Sequence, residues 1–243
     1  MKKRFRIALD IVMAALMPVL MAYSLVGEAL HEIVGSVIFI LFIVHQVLNR
    51  KWYGAAFKGK YTPRRIFQTV LNASLLVFMI LQPVSGILLS KHLYTFIPVL
   101  PVTATLRTIH MIVPYWGYVL LSVHAGTHLL PLFSKVKKAP LMRLFICAGV
   151  LISGCGVYAF IRRGFPGYMS GSTMFAFFDT SEPLILVIID YLSVMVLFAS
   201  LGALTVYLLG KLSKKLPLNA DRPQNDRPQQ KDKNNKENHY AKR

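Results

Sequence analysis

The sequence predicts an all-α integral membrane protein, a bundle of six transmembrane helices with both termini in the cytoplasm. Its composition is 55% hydrophobic and 16% charged, with a mean hydropathy of +0.51 over 243 residues, which is too apolar for a soluble domain. Six stretches reach the ~20 apolar residues that a helix needs to cross a bilayer. Backbone groups in lipid must pair within their own segment, so these stretches are helices; runs this long do not fit the short alternating strands of a membrane β-barrel.

The six predicted spans form one domain over residues 1–212. They are 7–26, 30–49, 66–90, 108–132, 143–161 and 183–209. The first follows a basic N-terminus, but its apolar run is longer than that of a signal peptide and Asp10 interrupts its start, so we expect an uncleaved helix. Residues 213–243 turn polar, with DRPQ occurring twice, and are predicted to be a disordered cytoplasmic tail.

Basic residues set the orientation of the spans. The net charge of +18 is compatible with nucleic-acid binding, but most lysines and arginines lie in short loops beside the spans, on alternate sides. The loops assigned to the outer face hold only Lys91, Arg107, Arg162 and Arg163. The positive-inside rule therefore places the other basic loops and both termini in the cytoplasm. Topology explains the charge better than a nucleic-acid partner does, and membrane lipid is the expected environment.

Histidines recur at one spacing in two of the spans. The second span carries His31 and His45, and the fourth carries His110 and His124, each pair 14 residues apart. At about 100° per residue, this spacing falls roughly 40° short of four full turns and rises about 21 Å. Each pair therefore shares one helix face at two depths. Polar groups inside a membrane are costly and indicate function by default, although a single histidine can also hydrogen-bond between helices.

The predicted topology brings these histidines together in two cross-helix pairs. The second and fourth spans both run from outside to inside, so His31 and His110 lie in the outer leaflet and His45 and His124 in the inner leaflet. One neutral imidazole from each of two helices is the ligand set of a haem iron, whereas a zinc site gathers three or four ligands. We therefore expect these four histidines to be metal ligands for two haems b, held non-covalently because no C-x-x-C-H motif is present.

One ligand assignment stays open at the inner site. His128 lies 18 residues after His110, about five full turns, and so faces the same direction as well as His124 does. The depth of His124 matches that of His45 better, which favours His124 as the ligand. The other histidine is then left to bond a haem propionate or to line a quinone site.

Other residues support a cofactor between the spans. Gly35 and Gly117 lie on the two histidine stripes and give room beside them, although small residues also serve ordinary helix packing. Arg107 near the outer pair is a candidate to bind a propionate by charge-assisted hydrogen bonds, and so is Arg50, Arg64 or Arg65 near the inner side. Topology explains these arginines nearly as well. Single polar residues in other spans, among them Asp10, Asn72 and Gln82, are too unspecific to assign a role.

Three segments give the chain a resemblance to a known family. With HEIVGSVIFILFIVHQVLNRKWY, WGYVLLSVHAGTH and FAFFDTSEP, most of residues 7–190 resembles the flavinylation-associated cytochrome family of bacterial membrane proteins. The resemblance implies a multi-pass protein of the bacterial inner membrane with two haems b. It also implies electron transfer across the membrane, often to outer-face proteins that carry covalently attached flavin.

The predicted function is that of a dihaem membrane cytochrome. Electrons would come from a quinol or a cytoplasmic donor and leave to an extracytosolic acceptor, so that the chain is either an electron-transfer protein or the membrane subunit of an oxidoreductase. Two alternatives stay open. A metal-ion transporter also places histidines at depth, but it usually adds carboxylates or broken helices at the midplane, and a non-redox membrane anchor needs no matched histidine pairs.

Overall fold

The computed structural model describes residues 2–59, 61–97, 103–129, 139–173 and 181–215. Within these ranges the regular secondary structure is helical throughout. In chain order the helices are α1 (Lys2–Met21), α2 (Tyr23–Val26), α3 (Glu28–Leu48), α4 (Lys51–Ala56), α5 (Pro63–Leu89), α6 (Ala104–Thr127), α7 (Ala139–Arg162), α8 (Phe165–Ser170) and α9 (Leu184–Lys215). The predicted all-α class is therefore confirmed for the described part of the chain.

Four helices are long and apolar enough to cross a membrane. They are α3, α5, α7 and the segment Leu184–Ser213 of α9. Two further helices coincide with predicted spans but are more polar: α1 begins with a cluster of basic residues and contains Asp10, and α6 contains Arg107 and two histidines. The membrane character is confirmed on length and composition, while the count of six spans and the cytoplasmic termini stay predictions.

The first predicted span is divided into two helices. Its stretch 7–26 extends past the end of α1 at Met21 and across the short helix α2. Gly27 follows with a φ of +83°, in the left-handed region that glycine adopts without steric cost. The chain turns at this glycine into α3, which packs back against α1. This turn lies between the predicted spans 7–26 and 30–49, whereas the break between α1 and α2 lies inside the first predicted span, in an apolar stretch where hydropathy gives no sign of it.

Two longer helices begin at side-chain caps. Thr62 accepts a hydrogen bond from the backbone N–H of Arg65, and Pro63 occupies the first helical position of α5. Thr103 accepts from the N–H of Leu106 at the start of α6. Each cap satisfies one of the free amides of a helix start. Both helices therefore begin a few residues before the apolar runs from which their spans were predicted.

The densest packing surrounds α9, which lies against both α6 and α7. Gly126 of α6 faces the backbone of Ala199 on α9, and Gly202 of α9 faces the backbone of Val123 on α6. A Cβ at either glycine would overlap the facing carbonyl, so the two backbones approach as closely as small residues allow in a membrane. The rings of Tyr118, Phe165 and Tyr191 fill the core beside this contact.

The histidine-bearing helices α3 and α6 are not close backbone neighbours. Instead α5 packs against both of them, and α3 otherwise contacts α1 and α2. The predicted bundle placed the second and fourth spans at its centre, whereas the tightest contacts belong to α6, α7 and α9. The space between α3 and α6 is consequently bounded by side chains, and these include the histidines.

Two parts of the sequence prediction lie partly or wholly outside the described residues. The tail predicted for 213–243 begins within α9, which continues to Lys215, and residues 216–243 lie outside the description. Residues 174–180, which contain most of the FAFFDTSEP segment, also lie outside it.

Candidate functional site

His31 and His110 face each other across the space between α3 and α6. Their ring centroids are 6.3 Å apart and the ring planes make an angle of 75°. Two imidazoles that bind one metal from opposite sides have ring centres about 6 Å apart, because each nitrogen lies ~2 Å from the metal and each ring centre lies about 1 Å behind its nitrogen. The two rings therefore have the separation expected of two ligands that bind one atom. We call His31 and His110 the His31 level.

Helix α5 positions the His110 ring. The hydroxyl of Ser85 lies 2.9 Å from His110 Nδ1, and the amide nitrogen of Gln82 lies 3.4 Å from both ring nitrogens. A Cβ at Gly86 would come within 3.2 Å of His110 Cε1, so a glycine at this position lets the ring lie against α5. Ser85 is buried. Its hydroxyl orients the His110 ring through Nδ1, so Nδ1 is not available to bind a metal.

Two buried polar atoms at the His31 level have no hydrogen-bond partner among the described residues. They are Nδ1 of His31 and Oε1 of Gln82. The edge of the Tyr23 ring packs on His31 at 5.1 Å between centroids, which excludes water without providing a hydrogen bond. A buried polar atom left unpaired costs about 1–3 kcal/mol, so these atoms mark a place where a bound group would complete the site.

Glu32, the neighbour of His31, fixes a loop over this level. Its carboxylate accepts hydrogen bonds from the hydroxyl of Ser90 at 2.7 Å and from the backbone N–H groups of Lys91 and Leu93 at 2.8 and 2.9 Å. The hydroxyl of Tyr94 lies 2.9 Å from that of Ser36 on α3. Sequence reasoning missed Glu32, although a carboxylate one residue from a histidine in an apolar helix is itself a signal of function.

A second group of histidines lies at the other end of the same helices. His45 is in the last turn of α3, His124 is in the last turn of α6, and His128 caps α6. The rings of His124 and His128 are 4.9 Å apart between centroids, and both histidines lie within electrostatic range of His45. We call these three residues the His45 level.

Neighbouring helices hold two of these three rings. Asp10 of α1 places a carboxylate oxygen 2.8 Å from His45 Nδ1, and Asn72 of α5 places its amide oxygen 2.9 Å from His124 Nδ1. His128 has no such oxygen partner in the part of the chain that the structure describes. Asp10 and Asn72, two of the polar residues that the sequence alone left without a role, thus orient histidines.

The order of the contacts fixes the relative direction of α3 and α6. The early histidines of both helices form the His31 level and the late ones form the His45 level, so the two helices run parallel, with the levels about 21 Å apart along each axis. His110, His45 and His124 each have Nδ1 beside an oxygen of another helix. Metal-binding imidazoles usually hold their second nitrogen in this way and keep the first for the metal.

The glycines on the histidine stripes differ from the packing glycines. Gly117 is buried, yet a Cβ built there meets no atom within 4 Å, and one built at Gly35 meets only Leu20 Cδ2, at 3.9 Å. Space therefore exists beside both residues, unlike the backbone contacts of Gly126 and Gly202. This is the behaviour expected of residues that leave room for a bound group.

The predicted propionate ligands are both exposed at helix ends. Arg107 lies in the first turn of α6, within electrostatic range of Lys91. Arg50 precedes α4, just after the end of α3. They lie at the ends of the helices where the prediction placed them, and no described contact joins either arginine to a histidine.

The structure brings one pair of imidazoles face to face at the His31 level and gathers three histidines at the His45 level. Among the described residues no cluster of three or more histidine, cysteine, aspartate or glutamate side chains is arranged around one metal position. Two surface grooves lie elsewhere, one between α7 and α9 and the other between α4 and α5. Comparison of the chain with models of protein families, with curated proteins and with solved structures gave no match.

Proposed function

We propose that the chain is a dihaem b-type cytochrome of a bacterial inner membrane, with six spans, cytoplasmic termini and a place in the flavinylation-associated cytochrome family. The observation that carries the proposal is the facing pair of imidazoles at the His31 level, together with three further histidines at the other end of the same two helices. At the His31 level the ring separation fits two ligands of one iron, and Nδ1 of His31 is buried without a hydrogen-bond partner among the described residues. Haem iron, when bound, supplies one-electron redox chemistry at each level.

The chain's own residues hold and orient these ligands. His31 and His110 are the ligands at one level, with Ser85 orienting His110. His45 and His124 are the ligands at the other level, because each has Nδ1 fixed by an oxygen on a neighbouring helix while His128 does not. His128 is then available to bond a propionate or a quinone. Gly35 and Gly117 leave the space that a flat macrocycle needs.

Electron transfer between the levels would carry charge across the bilayer. The proposed donor is a quinol or a cytoplasmic protein, and the proposed acceptor lies outside the cytoplasm. A flavoprotein is the acceptor that the family resemblance suggests. Arg50 and Arg107, at opposite ends of the paired helices, are proposed to bind propionates through charge-assisted hydrogen bonds.

A metal-ion transporter is the second candidate, and one observation favours it. The Asp10 carboxylate beside His45 is half exposed, at 52% of its side chain, and a carboxylate next to an imidazole is also a cation-binding pair. A transporter would bind a free divalent cation at this pair and would have no visible absorption from haem.

A pyridine haemochrome assay on the purified chain, expressed with ample porphyrin supply, tests the proposal. We expect two haems b per chain, with a Soret band and with α and β bands after reduction. A colourless protein would overturn the proposal, and a colourless protein that binds a divalent cation would favour the transporter. One haem per chain would mean that one of the two levels is assigned wrongly.

A further inference from the structure

The oxygen partners of the proposed ligands differ between the two levels. At the His45 level, Asp10 places an anionic carboxylate 2.8 Å from His45 Nδ1 and Asn72 places an amide oxygen 2.9 Å from His124 Nδ1. At the His31 level, His110 has only the hydroxyl of Ser85 and His31 has no described partner for Nδ1. The hydrogen-bond acceptors at the His45 level are therefore stronger than the one at the His31 level, and one of them, Asp10, is charged.

A carboxylate on the far nitrogen makes an imidazole a better electron donor to its metal. A nearby negative charge also stabilises the more positive oxidation state of an iron centre by Coulomb attraction. Both effects lower the reduction potential of an iron bound by His45. The hydroxyl of Ser85 provides neither a full charge nor a strong acceptor, so the potential at the His31 level is not lowered in this way.

Solvent exposure acts in the same direction. Nδ1 of His31 is buried from solvent, and a dry site disfavours the state with the larger net charge. The Asp10 side chain is 52% exposed and that of His45 is 24% exposed, so water reaches the His45 level and helps to stabilise the oxidised state. Water also screens the carboxylate, which limits the size of its effect.

Cations near the end of α3, Arg6 and Arg50 among them, oppose this arrangement. Arg6 of α1 donates a hydrogen bond to the carbonyl oxygen of Leu48 at 2.8 Å, near the end of α3 where His45 lies. It contacts the backbone and not a histidine ring, so it adds positive charge without changing an imidazole hydrogen bond. The direct contact of Asp10 with Nδ1 should therefore dominate.

We propose that Asp10 is a positioning residue that keeps the reduction potential at the His45 level below that at the His31 level, so that an electron shared between the levels resides mainly at the His31 level. This inference rests on the proposed function, because it assumes one haem at each level. On this inference, electrons move from the His45 level to the His31 level because the hydrogen-bond acceptors at the two levels differ.

The test is a spectroelectrochemical titration of purified wild type, Asp10→Asn, Asp10→Glu and Asn72→Asp. The variant Asp10→Asn keeps the shape of the side chain and removes its charge. We expect it to move the lower-potential wave by at least about 59 mV in the positive direction, a tenfold change in the one-electron equilibrium, and to leave the upper wave in place. Asp10→Glu should stay near wild type, and Asn72→Asp should move the same wave in the negative direction.

Controls separate this inference from the proposed function. Asp190→Asn removes a carboxylate that pairs with Arg163 at 2.6 Å, away from the histidines, and should move neither wave. Two bound haems with an unmoved lower wave in Asp10→Asn would overturn the role of Asp10 and leave the cytochrome proposal standing. If Asp10→Asn loses a haem, the direction of the shift in Asn72→Asp decides. A wild type without haem would overturn the cytochrome proposal, and this inference with it.

Discussion

The His31 level and the His45 level offer the same ligand type in opposite surroundings. At the His31 level, two rings meet in a dry space where the polar atoms of His31 and Gln82 lack partners. At the His45 level, a carboxylate and an amide from two other helices hold two of three rings. The first level thus holds buried polar atoms without hydrogen-bond partners among the described residues, whereas two rings of the second level are hydrogen-bonded and His45 is partly exposed to solvent.

This difference shows that one pattern of spacing can build two unequal sites. The 14-residue interval repeats in α3 and α6, so the imidazoles are alike, and the inequality comes from residues on α1 and α5. Metal-site properties depend on these outer residues nearly as much as on the ligands.

Loss of a ligand at the His31 level should remove one of two haems. His31→Ala or His110→Ala takes away one side of the facing pair, and with no third histidine described at this level, nothing replaces it. We expect haem stoichiometry to fall from two to one per chain, with the spectrum of the His45 level retained. His92→Ala is the control, because the His92 side chain is exposed and lies 3.6 Å from Glu28, while its bond to Glu32 comes from the backbone N–H, which the substitution keeps. Retention of both haems in His110→Ala would refute the proposed haem site at the His31 level.

The two neighbouring histidines at the His45 level should respond differently. His124→Ala removes the ring that Asn72 orients and is expected to abolish the haem at this level. His128→Ala is the matched variant, four residues away at the cap of α6, and should retain both haems. Haem content and the low-spin signals in electron paramagnetic resonance measure the outcome, and a reversed result would make His128 the ligand.

Removal of the Glu32 carboxylate should destabilise the loop of residues 90–93 beside the His31 level and leave the His45 level unchanged. Glu32→Ala leaves the amides of Lys91 and Leu93 and the hydroxyl of Ser90 without their acceptor. Hydrogen bonds to charged groups contribute roughly 1.5–3 kcal/mol each, and because water can replace some of them we expect a net loss of about 2 kcal/mol. Thermal unfolding in detergent measures the loss, and an equal drop in haem at both levels would contradict the local effect.

A larger side chain at Gly117 should compete with a bound group and leave the fold intact. The space that a Cβ would enter is open there, so Gly117→Val is expected to lower haem content with a loss of stability below about 1.5 kcal/mol. Gly126→Val is the contrasting variant, because its side chain would meet the backbone of Ala199. Gly126→Val should disrupt the packing of α6 against α9. Similar stability of Gly117→Val and Gly126→Val would refute the distinction between these two glycines.

The smallest expected effect is a pH dependence outside both levels. Hydrogen bonds and charge from Arg163, followed by the charge of Arg162, lower the pKa of Glu182 below its ordinary value. A carboxylate with a lowered pKa adds stability above its unfolded value near 4.5, and this stability is lost as pH falls through the folded value.

Melting curves recorded between about pH 6 and about pH 3 should show this loss. Glu182→Gln should reduce the pH dependence by an amount on the order of a few degrees in Tm. The same loss of stability in Glu182→Gln as in wild type over this range would contradict the assignment to this carboxylate.

Helix positions and histidine faces were predictable because each follows from local chain geometry. The apolar runs gave α3, α5, α7 and α9, and the turn angle per residue gave the shared faces of His31 and His45. The hydrogen bonds of Asp10, Asn72 and Glu32 were not predictable, because each joins residues on different helices or loops and one polar residue per helix matches many partners.

The arrangement of the bundle escaped prediction for a related reason. Hydropathy identifies which segments enter a membrane but does not rank their mutual contacts, and glycine pairs such as Gly126 and Gly202 act only once two helices have met. The break between α1 and α2 at Ala22 was missed because it interrupts an otherwise continuous apolar stretch.

The close approach of α6 to α9 has a consequence for biogenesis. Helix α9, which packs on α6, follows it in the chain, so the helix that carries His110 and His124 is fixed in place only after α9 has been synthesised. The facing helix α3 is made earlier and contacts other helices. Haem binding at the two proposed levels is therefore expected to follow the synthesis of α9, and a truncation before Ala199 should give a chain in which α6 lacks this support.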